Sequence, residues 1–267
     1  MVSKSKLQYL KSLQQKKHRE KEGVFLVEGW RTVGEACSAL NELQMLVYTK
    51  EAKADRRYSS VFLSAQKKSK EYLEASPKEF ASFADAVAAQ GVAAVVKKSF
   101  FDLDREIEKL EKSERGFVAV LDQISDPGNM GAIIRSSDWL GLSAVLLSEN
   151  CVELYNPKVV RSTAGSIFHL PIIEYPESAD RFAELLRRLQ KSGFTLFGAD
   201  VSGDTDLRSL QWPKKSALAI GNEAHGISSE ILKILDKRIA VPKFGRAESL
   251  NAGVAAGIFF AHRSFQQ

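Results

Sequence analysis

The sequence predicts an α/β protein of two domains, a small α/β sandwich over residues 1–105 and a larger α/β domain over residues 106–267. Short apolar runs alternate with helical segments along the whole chain. In the second half these runs are almost continuously apolar, which is typical of parallel strands covered on both faces. The charge also changes near residue 105: the first part carries 19 Lys and Arg against 13 Asp and Glu, the second 19 against 20.

The composition excludes several classes of protein. With 267 residues, 44% apolar and 27% charged, the chain is long enough for two cores and is typical of soluble globular proteins. The two cysteines, Cys37 and Cys151, are far apart and lack metal-ligand spacing, which favours a reducing, cytoplasmic setting and argues against a metal site. No apolar run is long enough for a signal peptide or a membrane span.

The first 22 residues are strongly basic and carry leucines at helical spacing. A lysine-rich helix suits phosphate contacts, and the net charge of +6 over residues 1–105 makes this part the stronger candidate for polyanion binding. The alternative is a solvated helix whose leucine stripe packs on its domain, and the two are compatible. The candidate RNA contacts here are Lys4, Lys6, Lys11, Lys16, Lys17 and Arg19.

The rest of the first domain follows from periodicity and turn residues. The predicted strands are 23–29, 43–49, 61–63 and 92–96. The predicted helices are 31–40, 67–74 and 77–86, and a polar helix over 101–112 forms the connection between the domains.

From Gly116 onward the apolar runs predict six strands separated by helices. The predicted strands are 117–121, 144–147, 170–173, 195–199, 217–220 and 238–241. The predicted helices are 128–140, 156–165, 179–191 and 229–235. Ligands of parallel sheets bind in loops beyond the carboxyl ends of the strands, and both Gly221 and Pro242 occupy such positions.

The stretch from Val241 to His262 organises this part of the chain. An apolar strand meets Pro242, passes through a Gly-containing loop and reaches Ser249-Leu250-Asn251 before a helix. That helix holds Gly253 and Gly257 four residues apart, at a cost of about 1 kcal/mol each relative to alanine. Close approach of another backbone on that face is the natural compensation.

Three segments together resemble the motifs of the SpoU-type RNA ribose 2'-O-methyltransferases of the SPOUT superfamily. They are Asn129 to Arg135, Gly221-Asn-Glu-Ala-His-Gly226, and the stretch around Pro242 with Ser249-Leu250-Asn251. The resemblance runs from Gly116 to the end. Residues 25–29 with Arg31 also resemble the substrate-binding domain that precedes the catalytic domain in many of these enzymes.

The resemblance implies S-adenosylmethionine as cofactor, held mainly by backbone groups at Gly221, Val241 and Leu250. It further implies a deep C-terminal trefoil knot, and a homodimer through the catalytic domain with its interface beside the cofactor loops. The extra N-terminal domain makes ribosomal RNA of the 23S type the preferred substrate. Arg31 and Arg161 join the candidate RNA contacts, although Glu28 and Arg31 equally suit a surface pair.

The resemblance also implies a catalytic set of Asn129, Arg135, Glu223, Ser249 and Asn251. Arg135 is expected to activate the ribose hydroxyl by holding the neighbouring phosphate and stabilising negative charge on the oxygen, since a guanidinium does not act as a base. Structural alternatives remain: a salt bridge from Arg135 to Glu223, a cap of the following helix by Glu223, an N-cap by Asn129, and turn or cap roles for Ser249 and Asn251.

The sequence therefore predicts an S-adenosylmethionine-dependent RNA ribose 2'-O-methyltransferase acting on ribosomal RNA. One alternative is a tRNA ribose methyltransferase. Another, from a different class, is a non-catalytic RNA-binding factor of ribosome assembly with the same basic N-terminus. The presence of all five catalytic candidates argues against that last option.

Overall fold

A computed structural model of the chain describes residues 2–85, 89–98, 101–175 and 177–266. The strands are β1 Val24–Glu28, β2 Met45–Tyr48, β3 Tyr72–Glu74, β4 Val92–Lys97, β5 Gly116–Leu121, β6 Ala144–Leu147, β7 Ile172–Glu174, β8 Thr195–Ala199, β9 Thr205–Asp206, β10 Lys215–Ile220 and β11 Lys237–Ala240. The helices are α1 Lys4–Ser12, α2 Lys16–Glu22, α3 Trp30–Ala39, α4 Lys50–Ala54, α5 Ser59–Lys68, α6 Pro77–Ala81, α7 Leu103–Lys112, α8 Pro127–Trp139, α9 Pro157–Thr163, α10 Ala179–Lys191, α11 Ser229–Leu232 and α12 Ala252–Ser264.

These elements form two compact units, residues 1–99 with 153–169, and residues 100–152 with 170–267. The α/β fold class predicted from the sequence is confirmed. The domain boundary near residue 105 and the trefoil knot stay predictions. No helix in the described ranges is long and apolar enough to cross a membrane.

The first unit is built on a four-stranded mixed sheet of order β1-β4-β2-β3. β4 lies antiparallel between β1 and β2, and β3 adds to β2 in parallel. The predicted strand over 61–63 is wrong because this apolar triplet lies within α5, where Phe62 faces the core. The predicted helix over 67–74 is also wrong, since α5 ends at Lys68 and residues 72–74 form β3.

Residues 153–169 complete the first unit although strands of the second unit flank them in sequence. Helix α9 packs on β1 and buries Val159 and Val160. The ring of Tyr155 lies 4.6 Å from that of Phe25, centroid to centroid. The apolar face of this short helix is therefore covered by residues of the first unit.

A buried ion pair accompanies this packing. Arg19 is only 2% exposed, and its Nε donates to Glu153 Oε1 at 3.0 Å while Nη1 donates to the Leu13 carbonyl at 2.8 Å. Lys98 Nζ lies 3.8 Å from the same carboxylate. This burial contradicts the predicted RNA contact of Arg19, because a phosphate could reach the guanidinium only by breaking a desolvated ion pair.

The second unit is built on a seven-stranded sheet of order β7-β6-β5-β10-β8-β11-β9, in which every pair is parallel. β5 and β10 lie at the centre, and their residues are almost all buried, as their continuous apolar runs predict. Helix α12 packs on α8, and a Cβ at Gly253 would lie 3.2 Å from Ala132 Cβ. The close approach predicted for the glycine face thus occurs at Gly253. At Gly257 an added Cβ would lie 4.0 Å from Ser136 Oγ, an ordinary contact distance.

The predicted elements of this unit are confirmed, with shifts at their ends. β7 begins two residues later than predicted and α11 ends at Leu232 instead of residue 235. The short strand β9 was not predicted, because two residues carry no periodicity. In the first unit, helix α6 ends at Ala81, and residue 86, the predicted end, lies outside the described residues.

Candidate active site

A cavity of about 520 Å³ opens beyond the carboxyl ends of β8, β10 and β11. The loops after these three strands line it, at residues 199–201, 220–227 and 241–250, together with Leu232 and the first turns of α12. The predicted cofactor contacts Gly221, Val241 and Leu250 all lie in this lining. Residues 199–201 were not predicted from the sequence to line a site, although the strand-end rule that selected Gly221 applies equally to the end of β8.

The loop from Gly221 to Gly226 is held close to its own backbone. A Cβ at Gly221 would lie less than 3.0 Å from backbone atoms of Gly226 and Ile227, closer than real Cβ atoms approach. Asn222 and Gly226 exchange two backbone hydrogen bonds of 2.9 Å, and Gly226 has a φ of 71°. Glycine at 221 is therefore required by the close return of the loop, and glycine at 226 by the left-handed turn.

Three of the predicted catalytic side chains contact one another, and one of them, Glu223, lines this cavity. Asn129 Nδ2 donates to Glu223 Oε1 at 2.6 Å, and Asn251 Nδ2 donates to Asn129 Oδ1 at 2.7 Å. Ser125 Oγ donates to Glu223 Oε2 at 3.3 Å. The chain Asn251 to Asn129 to Glu223 thus joins residues 94 and 122 positions apart in sequence.

The helix caps distinguish the structural alternatives. Asp126, not Asn129, caps α8, since its carboxylate accepts from the Asn129 N–H at 2.7 Å. Asn251 does cap α12, because its Oδ1 accepts from the Gly253 and Val254 N–H groups at 3.0 and 3.3 Å. The N-cap interpretation of Asn129 is wrong, and Asn251 combines capping with the contact to Asn129.

Two predicted catalytic residues lie exposed. No hydrogen bond or ion pair joins the side chain of Arg135 or of Ser249 to another residue in the part of the chain that the structure describes. The alternative of a salt bridge from Arg135 to Glu223 is therefore not found: the carboxylate accepts from Asn129 and Ser125 instead. Arg135 and Ser249 keep their polar groups available to a ligand.

The predicted RNA contacts of the first unit differ in availability. Lys4, Lys11, Lys17 and Arg31 are exposed, and none of them has an ion pair within the described ranges. Lys6 pairs with Glu71 at 2.6 Å, Lys16 with Glu20 at 3.6 Å, and Arg161 with Asp85. Exposed pairs of this kind contribute about 1 kcal/mol or less to stability.

Neither cysteine lies in the cavity. Burial raises the pKa of Cys151 to about 11, and its thiol lies 3.3 Å from the Leu121 carbonyl. Burial also raises the pKa of Cys37. Among the residues described, no cluster of three or more His, Cys, Asp or Glu side chains could hold a metal ion.

Comparison with known proteins connects this geometry to a family. The profile of the SpoU rRNA Methylase family matches residues 116–261, and that of the MRM3-like substrate binding domain matches residues 4–94. The Bacillus subtilis 23S rRNA (guanosine(2553)-2'-O)-methyltransferase RlmP is 29% identical over 94% of this chain and 93% of its own. A putative TrmH family tRNA/rRNA methyltransferase of Staphylococcus epidermidis is 30% identical over 73% and 78%.

A solved structure resembles the chain over its whole length. The SpoU methyltransferase AviRb from Streptomyces viridochromogenes, crystallised with the cofactor AdoMet, matches with a TM-score of 0.86 and 28% identity. The match covers 99% of this chain and 98% of AviRb.

Proposed function

This chain belongs to the SpoU rRNA Methylase family, and we propose that it transfers a methyl group from S-adenosylmethionine to a ribose 2'-OH of RNA, with 23S-type ribosomal RNA preferred. The observation that carries the proposal is the hydrogen-bonded chain of Asn251, Asn129 and Glu223 beside the cavity. Three separate motif segments supply these residues, and all three are required for the arrangement.

The cavity fits the proposed cofactor. Its walls are apolar at Ile220, Leu232 and Leu250, and loop backbone from three strand ends provides polar groups for an adenosine and an amino acid. Gly221 lets the backbone approach without an intervening side chain. When bound, the cofactor supplies an electrophilic methyl group on a sulfonium.

The remaining catalytic work falls to side chains of this chain. The amide of Asn129 donates to Glu223 and accepts from Asn251, so both ends are occupied and its role is alignment. Arg135 and Ser249 remain available for RNA. We assign to Arg135 the phosphate beside the target ribose and the negative charge that develops on the 2'-oxygen, because a guanidinium stays protonated and stabilises charge without accepting a proton.

RNA recruitment is assigned to the first unit. Residues 1–105 carry a net charge of +6, and Lys4, Lys11 and Lys17 of α1 and α2 are exposed without an ion pair among the described residues. Replacing Lys4, Lys11 and Lys17 together by glutamine in the full chain should weaken RNA binding and reduce the salt dependence of the binding constant by about two to three units of slope. Unchanged affinity and slope would remove α1 and α2 from the RNA surface.

We further propose a homodimer through the second unit. Val254 and Ile258 lie four residues apart on α12, are 54% and 37% exposed, and Trp139 at the end of α8 is 88% exposed. Apolar groups of this size on packed helices favour burial against a second copy. The same faces carry Asn251 and Arg135, so a dimer would bring a second chain beside the catalytic residues. A cytoplasmic location, where ribosomal RNA is available, belongs to the same proposal.

Two measurements test the proposed function. Calorimetry should detect binding of S-adenosylmethionine to the full chain, and transfer of a labelled methyl group should occur to 23S ribosomal RNA in preference to tRNA. Loss of one 2'-O-methylation after gene deletion would identify the nucleotide. Transfer only to tRNA would favour the tRNA enzyme, and absence of cofactor binding would favour the non-catalytic assembly factor.

A further inference from the structure

The side chain of Asn222 makes more contacts than its place in the loop requires. It is half-buried between the loop after β10 and the loop after β5. Its Oδ1 accepts from the Ala224 N–H at 2.9 Å and the His225 N–H at 3.2 Å. Its Nδ2 donates to the Gln123 carbonyl at 2.9 Å. The two ends of one amide therefore serve two different segments of the site.

The oxygen end shapes the cavity wall. The N–H groups of Ala224 and His225 point toward the side chain of Asn222, while the backbone of Asn222 pairs with Gly226. These four hydrogen bonds close a tight loop of residues 222–226, all but one of which line the cavity. The carbonyl oxygen of the Asn222 side chain is thus positioned to keep the cofactor wall ordered.

The nitrogen end holds a strained residue. Gln123 has a φ of 58°, one of only two non-glycine residues with positive φ in the described part of the chain. A non-glycine residue keeps a positive φ only where the surrounding hydrogen bonds and packing hold its backbone in place. Here the Gln123 N–H donates to Ser148 Oγ at 2.9 Å and its carbonyl accepts from Asn222.

Gln123 leads into the segment that carries the catalytic network. Two residues later Ser125 donates to Glu223, and six residues later Asn129 does so. The loops 123–129 and 222–223 are therefore joined by three side-chain hydrogen bonds, of which that of Asn222 is the first. A shift of one of these segments relative to the other would move the Glu223 carboxylate away from the amide of Asn129.

We propose that Asn222 is a positioning residue with two separable tasks: its oxygen orders the cofactor loop, and its nitrogen aligns that loop with the segment leading to Asn129 and Arg135. The inference rests on the proposed function. It assigns to one amide the coupling between the cofactor wall and the residues that act on the ribose.

The two tasks are separated by two substitutions in the full chain. Asn222→Asp keeps an oxygen for Ala224 and His225 but places a second acceptor against the Gln123 carbonyl. Its cofactor dissociation constant, measured by calorimetry, should stay within about threefold of wild type, and its single-turnover methyl transfer should slow about tenfold or more. Asn222→Ala removes both ends, so its affinity should fall about tenfold as well.

The pH dependence provides a signature that a purely structural role would not produce. At low pH the introduced carboxyl becomes protonated and its O–H can donate to the Gln123 carbonyl. That acceptor raises its pKa from the ordinary value of about 4, whereas the N–H groups of Ala224 and His225 lower it. The rate of Asn222→Asp relative to wild type should therefore rise as the pH falls. Asn222→Ala should show no such recovery.

Matched controls are Asn150→Asp and Asn150→Ala, because Asn150 is exposed after β6 and the chemical changes are identical. Both should behave as wild type. Equal loss of cofactor affinity in Asn222→Asp and Asn222→Ala, or wild-type rates in both, would overturn the inference. A wild-type protein without cofactor binding or methyl transfer would instead contradict the proposed function itself.

Discussion

Substitution of Gly221 by alanine tests the geometry of the cofactor loop directly. The added Cβ would lie less than 3.0 Å from the backbone of Gly226 and Ile227, whereas ordinary contacts begin at 3.4 Å. The opposing atoms belong to backbone and cannot rotate away. The loop must therefore retreat by about 0.4 Å or more, a lower limit set by these contact distances.

The retreat acts on the two hydrogen bonds of 2.9 Å that Asn222 and Gly226 exchange. Each backbone hydrogen bond contributes about 1 kcal/mol net, so loss of both costs about 2 kcal/mol. If the bound state requires the closed loop, this cost appears in the affinity as about a thirtyfold rise in the dissociation constant. Gly221→Val, with a larger side chain at the same point, should bind still more weakly.

The assay is calorimetric titration with S-adenosylmethionine, accompanied by thermal unfolding of each variant. Gly34→Ala is the matched control, because a Cβ there meets Val61 at an ordinary 3.6 Å and the position lies within α3. It should bind normally and unfold at the same or a higher temperature, since alanine is the better helix former. If Gly221→Ala bound the cofactor with wild-type affinity, the contact between residue 221 and the backbone of Gly226 and Ile227 would not control binding. The cofactor site would then have to lie away from this loop.

Three further substitutions or treatments have defined outcomes. Arg135→Ala should slow single-turnover methyl transfer about a hundredfold, roughly 3 kcal/mol, and leave the cofactor affinity normal. Arg135→Lys should slow it nearly as much, because lysine lacks the planar guanidinium. Near-normal turnover in Arg135→Ala would show that Arg135 is only a surface cation. Val254→Asp should give a monomer by sedimentation where wild type gives a dimer, because burying an unpaired carboxylate is costly; a monomeric wild type would contradict the interface. Cys151, with its pKa raised to about 11, should resist alkylation at pH 7. Its contribution to stability should decline as pH rises from about 9 toward 11, because the unfolded thiol ionises first. Rapid labelling of the native protein would contradict the raised pKa.

The sequence predicted the parallel sheet well because strands such as β5 and β10 are apolar at nearly every position, a pattern that only burial on both faces produces. The prediction failed over 61–63 because an apolar triplet suits either a strand or a buried helical turn. It failed over 72–74 because β3 lies at the sheet edge, where Tyr72 is 53% exposed and the strand lacks a buried apolar run. Periodicity does not distinguish these cases. The pairing partner and the packing of the helix decide them.

The proximity of three candidate site residues could be predicted from the sequence, but their individual contacts could not. The motif order placed Asn129, Glu223 and Asn251 together, and the structure joins them by two hydrogen bonds. Whether a residue caps a helix or keeps its polar group free depends on the direction of its side chain, and sequence spacing does not specify that direction. Arg19 shows the same limit, since Lys17 and Lys21, two residues to either side, are exposed while its counterion lies 134 residues away.

That distant counterion has a consequence for synthesis on the ribosome. The first compact unit needs residues 153–169, so it cannot be completed when residue 99 leaves the exit tunnel. At about 5 to 20 residues per second, the chain from residue 99 to residue 169 takes about 4 to 14 s to make. During this interval Arg19 lacks Glu153, and the surface of β1 that α9 later covers stays open to solvent or to a chaperone. We therefore expect the N-terminal unit to finish folding only after a helix encoded well beyond it has been translated.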